Sequence, residues 1–191
     1  MHYSKEEGNQ YVLGYNILRV DADLTRKRLV SPSSCNFTHV WLRTINVESV
    51  FYILKLGLKG VSDIDCVDLE NEHVTSVNVP QNFFSEWSNV HPVNWDGKLA
   101  LAGIEKGRLR VWVLENYKKR KWVKSKIVIP LTFMKDYPTM LSQNMVPYAA
   151  KDNRICWFHV DGESRDAFYL DIESKKIEFR TCSIILEIHL G

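Results

Sequence analysis

The side chains in this chain that could do chemistry fall into a few small groups, and each group also has a plainer structural use. Asp63, Asp65 and Asp68 stand close together. On an extended strand Asp63 and Asp65 point the same way, as oxygen ligands of a hard cation would. No loop of alternating oxygen ligands follows them, and the segment reads as a strand, so a strand-end and turn role is expected. The run Lys118, Lys119, Arg120, Lys121, Lys124 and Lys126 is basic, with Tyr117 and Trp122 interleaved. Such a run could track phosphates and stack bases. It also fits a solvated hairpin tip whose lysines keep a strand edge from pairing. Glu105, Glu115 and the near-neutral total favour the hairpin tip. The six histidines are scattered. His159 and Asp161 share one face of a strand end, but no G-x-S-x-G elbow accompanies them. Thr38, His39 and Ser76 offer no recognisable triad, and there is no phosphate-binding glycine loop or dinucleotide fingerprint. Cys35, Cys66, Cys156 and Cys182 are far apart with no C-x-x-C pair, which argues against zinc and for buried, reduced thiols. The residues therefore predict no catalytic group, no metal site and no cofactor.

The elements around these groups read as strands. In Asn94–Pro130, Asp96-Gly97 is a hairpin-turn dipeptide, because φ > 0 is cheap at glycine. Lys98–Ile104 is nearly continuous apolar sequence, as in a strand buried on both faces. Lys106-Gly107 turns the chain into Arg108–Leu114, where Leu109, Val111 and Val113 alternate with Arg108, Arg110 and Trp112. A polar hairpin, Asn116–Lys121, leads to Trp122–Ile129, with Val123, Ile127 and Ile129 on one face and Lys124 and Lys126 on the other. Pro130 has no N–H for a ladder and ends that strand. A short strand, Val90–Trp95, precedes the first turn and makes four.

The same order occurs at Ser49–Pro80 and again at residues 152–186. Matching Leu69-Glu70, Leu114-Glu115 and Ile172-Glu173 gives offsets of 45 and 58 residues, the longer one containing Leu131–Val146. Four short strands per unit of about 40–50 residues are the signature of a propeller blade. A blade cannot bury both faces alone, so neighbours must stack on it. No helical window competes. The fold class predicted is all-β: a partial β-propeller of three to four antiparallel four-stranded blades. Residues 1–10 are expected to be disordered and 11–44 to form a degenerate partial blade, with Asp21–Ser34 a long loop or damaged strand pair. Blades fill 45–191.

Between two blades lies Gln81–His91, with three large aromatics, Phe83, Phe84 and Trp87. They either plug the gap between blades or anchor a partner. Connections between blades share a propeller face with the loops joining second and third strands. A partner face built here would combine Phe83, Phe84 and Trp87 with Glu105, Lys106, Tyr137 and Met140.

Composition sets only broad limits. The 191 residues are 45% hydrophobic and 25% charged, with a net charge of +2 and a pI near 8.3. These values are ordinary for a globular domain and favour neither a nucleic-acid binder nor an enzyme for acidic substrates. No apolar stretch approaches the roughly 20 residues of a membrane span, and Met1–Gln10 lacks the apolar region of a signal peptide. A reducing compartment, cytoplasm or nucleus, is expected.

Three segments resemble one family. Asp65-Cys66-Val67-Asp68-Leu69-Glu70-Asn71-Glu72 with Val79-Pro80 is similar to an element of plant F-box associated domains. Trp95-Asp96-Gly97-Lys98-Leu99-Ala100, followed by Leu109–Tyr117 and Trp122, resembles their most distinctive segment. Phe168-Tyr169-Leu170-Asp171-Ile172-Glu173 with Phe179 resembles their terminal element. The similarity covers roughly residues 45–186. It implies a kelch-like propeller that recognises protein substrates for a cullin-based ubiquitin ligase. In such proteins an N-terminal F-box docks the Skp-type adaptor, and no stretch here resembles one. The resemblance thus implies a recognition module that would reach the adaptor only if an F-box were supplied. The alternatives are a stand-alone scaffold and, behind it, a nucleic-acid binder using the hairpin at 117–126. The resemblance implies no enzyme activity, cofactor or membrane contact.

Overall fold

Alternation of apolar and polar residues, broken by two-residue turns, gives a chain built from strands stacked as sheets. The computed structural model describes residues 2–5, 10–19, 25–36, 41–57, 60–80, 82–85, 87, 89–124, 126–131, 145–152, 154–161, 164–174 and 176–181. Strands β1 (His2–Lys5), β2 (Gln10–Arg19) and β3 (Thr25–Asn36) form an antiparallel N-terminal sheet. The first blade is a meander of β4 (Trp41–Val47), β5 (Val50–Gly57), β6 (Gly60–Asp68) and β7 (His73–Asn78). The second comprises β8 (Val90–Trp95), β9 (Lys98–Glu105), β10 (Arg108–Asn116) and an outer strand in two pieces, β11 (Lys121–Trp122) and β12 (Ile127–Pro130). The third comprises β13 (Met145–Lys151), β14 (Arg154–Asp161), β15 (Ser164–Asp171) and β16 (Ile177–Thr181). The innermost strands β8 and β13 pair in parallel through Asn94 with Ala149 and Trp95 with Ala150. That contact is how neighbouring blades meet along a propeller axis. No sheet closes on itself among the described residues. The fold is all-β and a partial β-propeller.

The turns obey their residues. Asp96 and Gly97 have φ of 49° and 75°, and Lys106 and Gly107 have 50° and 68°, the paired positive values of a type I′ hairpin. Strand periodicity then assigns each side chain to one of three apolar layers. Phe51 and Ile53 face the N-terminal sheet, where Leu13, Tyr15, Val67 and Val74 join them. Val50, Tyr52, Leu54 and Leu56 face the second blade and meet Leu99, Leu101 and Leu114. Ala100, Ala102, Leu109, Val111 and Val113 face the third blade and meet Ile155, Trp157, Phe168 and Leu170. Each layer lies between two sheets, so a blade has no core until its neighbours are present.

Several expectations change. Residues 2–5, expected to be disordered, pair with Tyr11–Gly14. The charged segment Asp21–Ser34, read as a long loop or a damaged strand pair, holds most of the 12-residue strand β3, which pairs with β2 in a register that shifts around Leu13. Pro32 sits at that irregularity, where a missing N–H breaks no regular ladder. Trp41–Thr44 belong to the first blade. Trp122–Ile129 is broken between Trp122 and Ile127, although Val123, Ile127 and Ile129 do share one apolar layer. The repeat register also differs. The carboxylate or amide of Asp68, Asn116 and Asp171 accepts the backbone N–H three residues on, at 2.9, 2.9 and 2.7 Å. These caps stand 48 and 55 residues apart. The matched Leu69 and Ile172 each follow their cap directly, whereas Leu114 stands three residues before Tyr117, the residue in that position.

Candidate interaction site

Pro80 to Val90 crosses from the first blade to the second, and its aromatics determine what that crossing presents. The Phe83 ring stacks on Trp112 at 3.7 Å and 3° and meets Trp122 edge-on at 5.2 Å and 87°. Trp112 donates its indole N–H to the Phe83 carbonyl at 3.3 Å. Phe84 packs edge-on to Trp87 at 5.2 Å and 72°. It lies so close over Gly103 that a Cβ there would be 3.1 Å from its ring and 3.2 Å from Val90. Phe83 and Phe84 are only 6% and 4% exposed. They plug the interface between blades, and any part in partner binding is from beneath. Trp87 is half-buried at the edge of the same layer.

Glu105 ends β9 on the same face. Its Oε1 accepts the Ser85 N–H at 2.5 Å and the Ser85 hydroxyl at 2.8 Å, while Oε2 pairs with Arg110 at 2.8 Å. The structure thus brings Phe83, Phe84, Trp87 and Glu105 together, with exposed Lys106 next in the turn. Tyr137 and Met140 lie outside the described residues. Below this face, Arg43 of β4 donates to the Val90 carbonyl of β8. Burial, reinforced by the Arg43 charge, holds His91 down at about 4, so it is neutral near pH 7.

The aspartates act within the fold. Asp63 and Asp65 do share a face, but the space between them holds the Lys55 ammonium, 2.9 Å from Asp65 and 3.2 Å from Asp63. Tyr15 donates to Asp65 at 2.5 Å, Ser76 to Asp63 at 2.9 Å, and Lys55 to Ser31 at 3.2 Å. Among the described residues no group of three or more acidic, histidine or cysteine ligands forms a metal centre. Asp68 is a turn cap. Burial pushes its carboxyl up, but hydrogen bonds from Asn71, Tyr117 and Glu70 outweigh that and hold it at about 2. Cys66 is a buried thiol pushed up to about 12 by burial and the Asp65 charge, and neither it nor Cys156 is part of a disulfide. Cys182 lies outside the described residues.

The basic hairpin is built into the stack rather than standing free. Tyr117 donates to Asp68 of the first blade at 2.8 Å and meets Tyr52 edge-on at 6.3 Å. Trp122 donates to the Asn78 carbonyl at 3.0 Å. Lys121 pairs with Glu115 at 2.7 Å. The rings that would stack bases are held against the neighbouring blade.

The sequence reading missed the polar cluster around Lys55. A lysine inside the apolar run VFYILKL, with two aspartates on the next strand, was the available signal. It also missed Tyr117 as a link between blades, which shows only once the hairpin is placed on its neighbour.

Stacked four-stranded meanders joined by interblade loops define a propeller-type protein. The model of the F-box associated beta propeller domain matches residues 17–185, most of the chain. The chain belongs to this family. The match includes β3 and the last three residues of β2, which the sequence resemblance left out. A search of curated proteins found no match.

Proposed function

We propose that this chain is a non-enzymatic interaction module whose kelch-like blades hold a protein for an SCF-type ubiquitin ligase. The observation that carries this reading is family membership over residues 17–185. Further support comes from the direction of the polar clusters, since the Lys55 and Asp68 groups join sheets and do not open onto a reaction site. The proposed partner face is the one carrying Trp87 and Lys106, positioned by Phe83, Phe84 and Glu105 and extended by Tyr137 and Met140. Its rigid aromatic support resembles the base of a protein-binding hot spot. The cytoplasm or nucleus is the proposed location. A stand-alone scaffold is the second reading, because the residues described here include no adaptor-docking element.

The test is affinity capture from plant cell extract with the chain alone and with the chain fused behind an F-box. The ligase reading expects adaptor and cullin only with the fusion, and a shared set of further proteins with both. Shared proteins without any effect of the fusion on their ubiquitination would favour the scaffold. No specific partner in either arm refutes both readings. Alanine at Lys106 should weaken capture at an unchanged melting temperature, and alanine at Trp87, which packs on Phe84, should weaken capture with a lowered melting temperature in a chain that stays folded.

A further inference from the structure

The repeat lets the same place be compared in two successive interfaces between blades. On the face carrying the short turns, the first interface is closed by two rings. Tyr52 is the third residue after its two-residue turn, and Tyr117 follows the cap Asn116; they meet at 6.3 Å. In the second interface the residue three beyond the Asp96-Gly97 turn is Ala100, and the residue after the cap Asp171 is Ile172. Two aromatic rings are thus replaced by a methyl and a butyl group. Trp95 takes the place of Val47 and restores part of the volume, but the interface remains open. A cleft of about 220 Å³ is lined by Trp95, Asp96, Ala150, Lys151, Asp152, Arg154 and Ile172. A second, of about 280 Å³, lies on the other side of Trp95 against Val113, Val123 and Ile127. For comparison, an apolar cavity of about 150 Å³ is enough for a benzene ring.

We propose that this cleft receives an aromatic side chain of a bound polypeptide, standing where Tyr117 stands in the preceding interface. Trp95, Ile172 and Ala150 give the ring its apolar walls. The rim carries two cations, Lys151 and Arg154, and two carboxylates, Asp96 and Asp152, so its charges balance and the ring of the incoming side chain is the feature it selects. The proposal rests on the interaction reading above and places a second contact on the opposite face of the propeller from Trp87.

The test uses the full chain and defined probes, with nuclear magnetic resonance following the Trp95 indole N–H and the Ile172 methyls. N-acetyl-tyrosinamide should shift both signals saturably, with a dissociation constant on the order of millimolar. N-acetyl-leucinamide should not. Ile172→Tyr fills the cleft from within and should abolish the response at Trp95; Lys151→Trp, covering the cleft from its exposed rim, gives the same test at both signals should the first variant fail to fold. Equal shifts with leucinamide, unchanged shifts in the filled variants, or no response to any probe would each overturn the proposal. Because the probes need no ligase, a chain that binds them yet captures no protein refutes the interaction reading and leaves the cleft standing.

Discussion

Replacing Lys55 with methionine tests whether charge compensation joins the N-terminal sheet to the first blade. Lys55 is 2% exposed, and its ammonium lies within 3.2 Å of both buried carboxylates, Asp63 and Asp65. Methionine keeps most of the apolar stem and removes the charge. Two carboxylates then remain in a low-dielectric layer with hydroxyl donors from Tyr15 and Ser76 but without their cation. Breaking a buried pair from one side costs about 3–5 kcal/mol, a large part of the roughly 5–15 kcal/mol that holds a domain folded. Urea unfolding should therefore show a fall of that size in Lys55→Met. Adding Asp65→Asn should recover much of it, because the loss comes from uncompensated charge and not from packing. Hydrogen exchange should locate the damage in β2 and β5, which face each other across the cluster. A loss below about 1 kcal/mol, or a double variant no better than the single, would refute the argument that Lys55 is the necessary counter-ion.

Three further outcomes follow from particular contacts. Gly103→Ala places a methyl 3.1 Å from the Phe84 ring and should lower stability by about 1–3 kcal/mol, read as a drop in melting temperature; an unchanged melt would mean the aromatic plug is loose. Tyr117→Phe removes the hydroxyl that donates to Asp68 and should cost about 1 kcal/mol by denaturant titration, and no change would show that the contact between blades is replaceable by water. Acid should destabilise the protein in two steps. The unfolded chain protonates His91 from about 6.5 downward while the folded chain resists until about 4, so stability is full above that window and falls through it by up to about 3 kcal/mol. Asp68 then contributes stability that is present above 3.8 and lost as pH falls through about 2. A urea midpoint that is flat between pH 6.5 and 4 would show that His91 is free to protonate in the folded state.

Much of the blade architecture was legible because it depends on local rules. Asp96-Gly97 and Lys106-Gly107 formed the turns their backbone freedom implies, and β8 spans Val90–Trp95 as expected. Alternation put Leu109, Val111 and Val113 on one side, where a single apolar layer now holds them. Asp21–Ser34 left a loop and a strand pair equally open because its charges, serines and Pro32 match a loop composition. What makes Thr25–Asn36 a strand is nine backbone pairings to the preceding strand β2, a gain that local propensity does not register. The interaction residues were legible only by type.

The sequence by itself determined the class of fold, the turn positions, the side-chain alternation and the family, since all of these are carried by nearest neighbours and period. Only the tertiary structure decided where the polar and aromatic groups act. Asp65 read as a strand-end or turn residue and nothing singled out Lys55, until stacking the first blade on the N-terminal sheet removed water from both and left them as each other's partners. Phe83 and Phe84 read equally as plugs between blades and as partner anchors until the second blade closed over them. The opening beside Trp95 has no local sequence signature either, because it is a difference between two interfaces and each interface exists only when two blades meet.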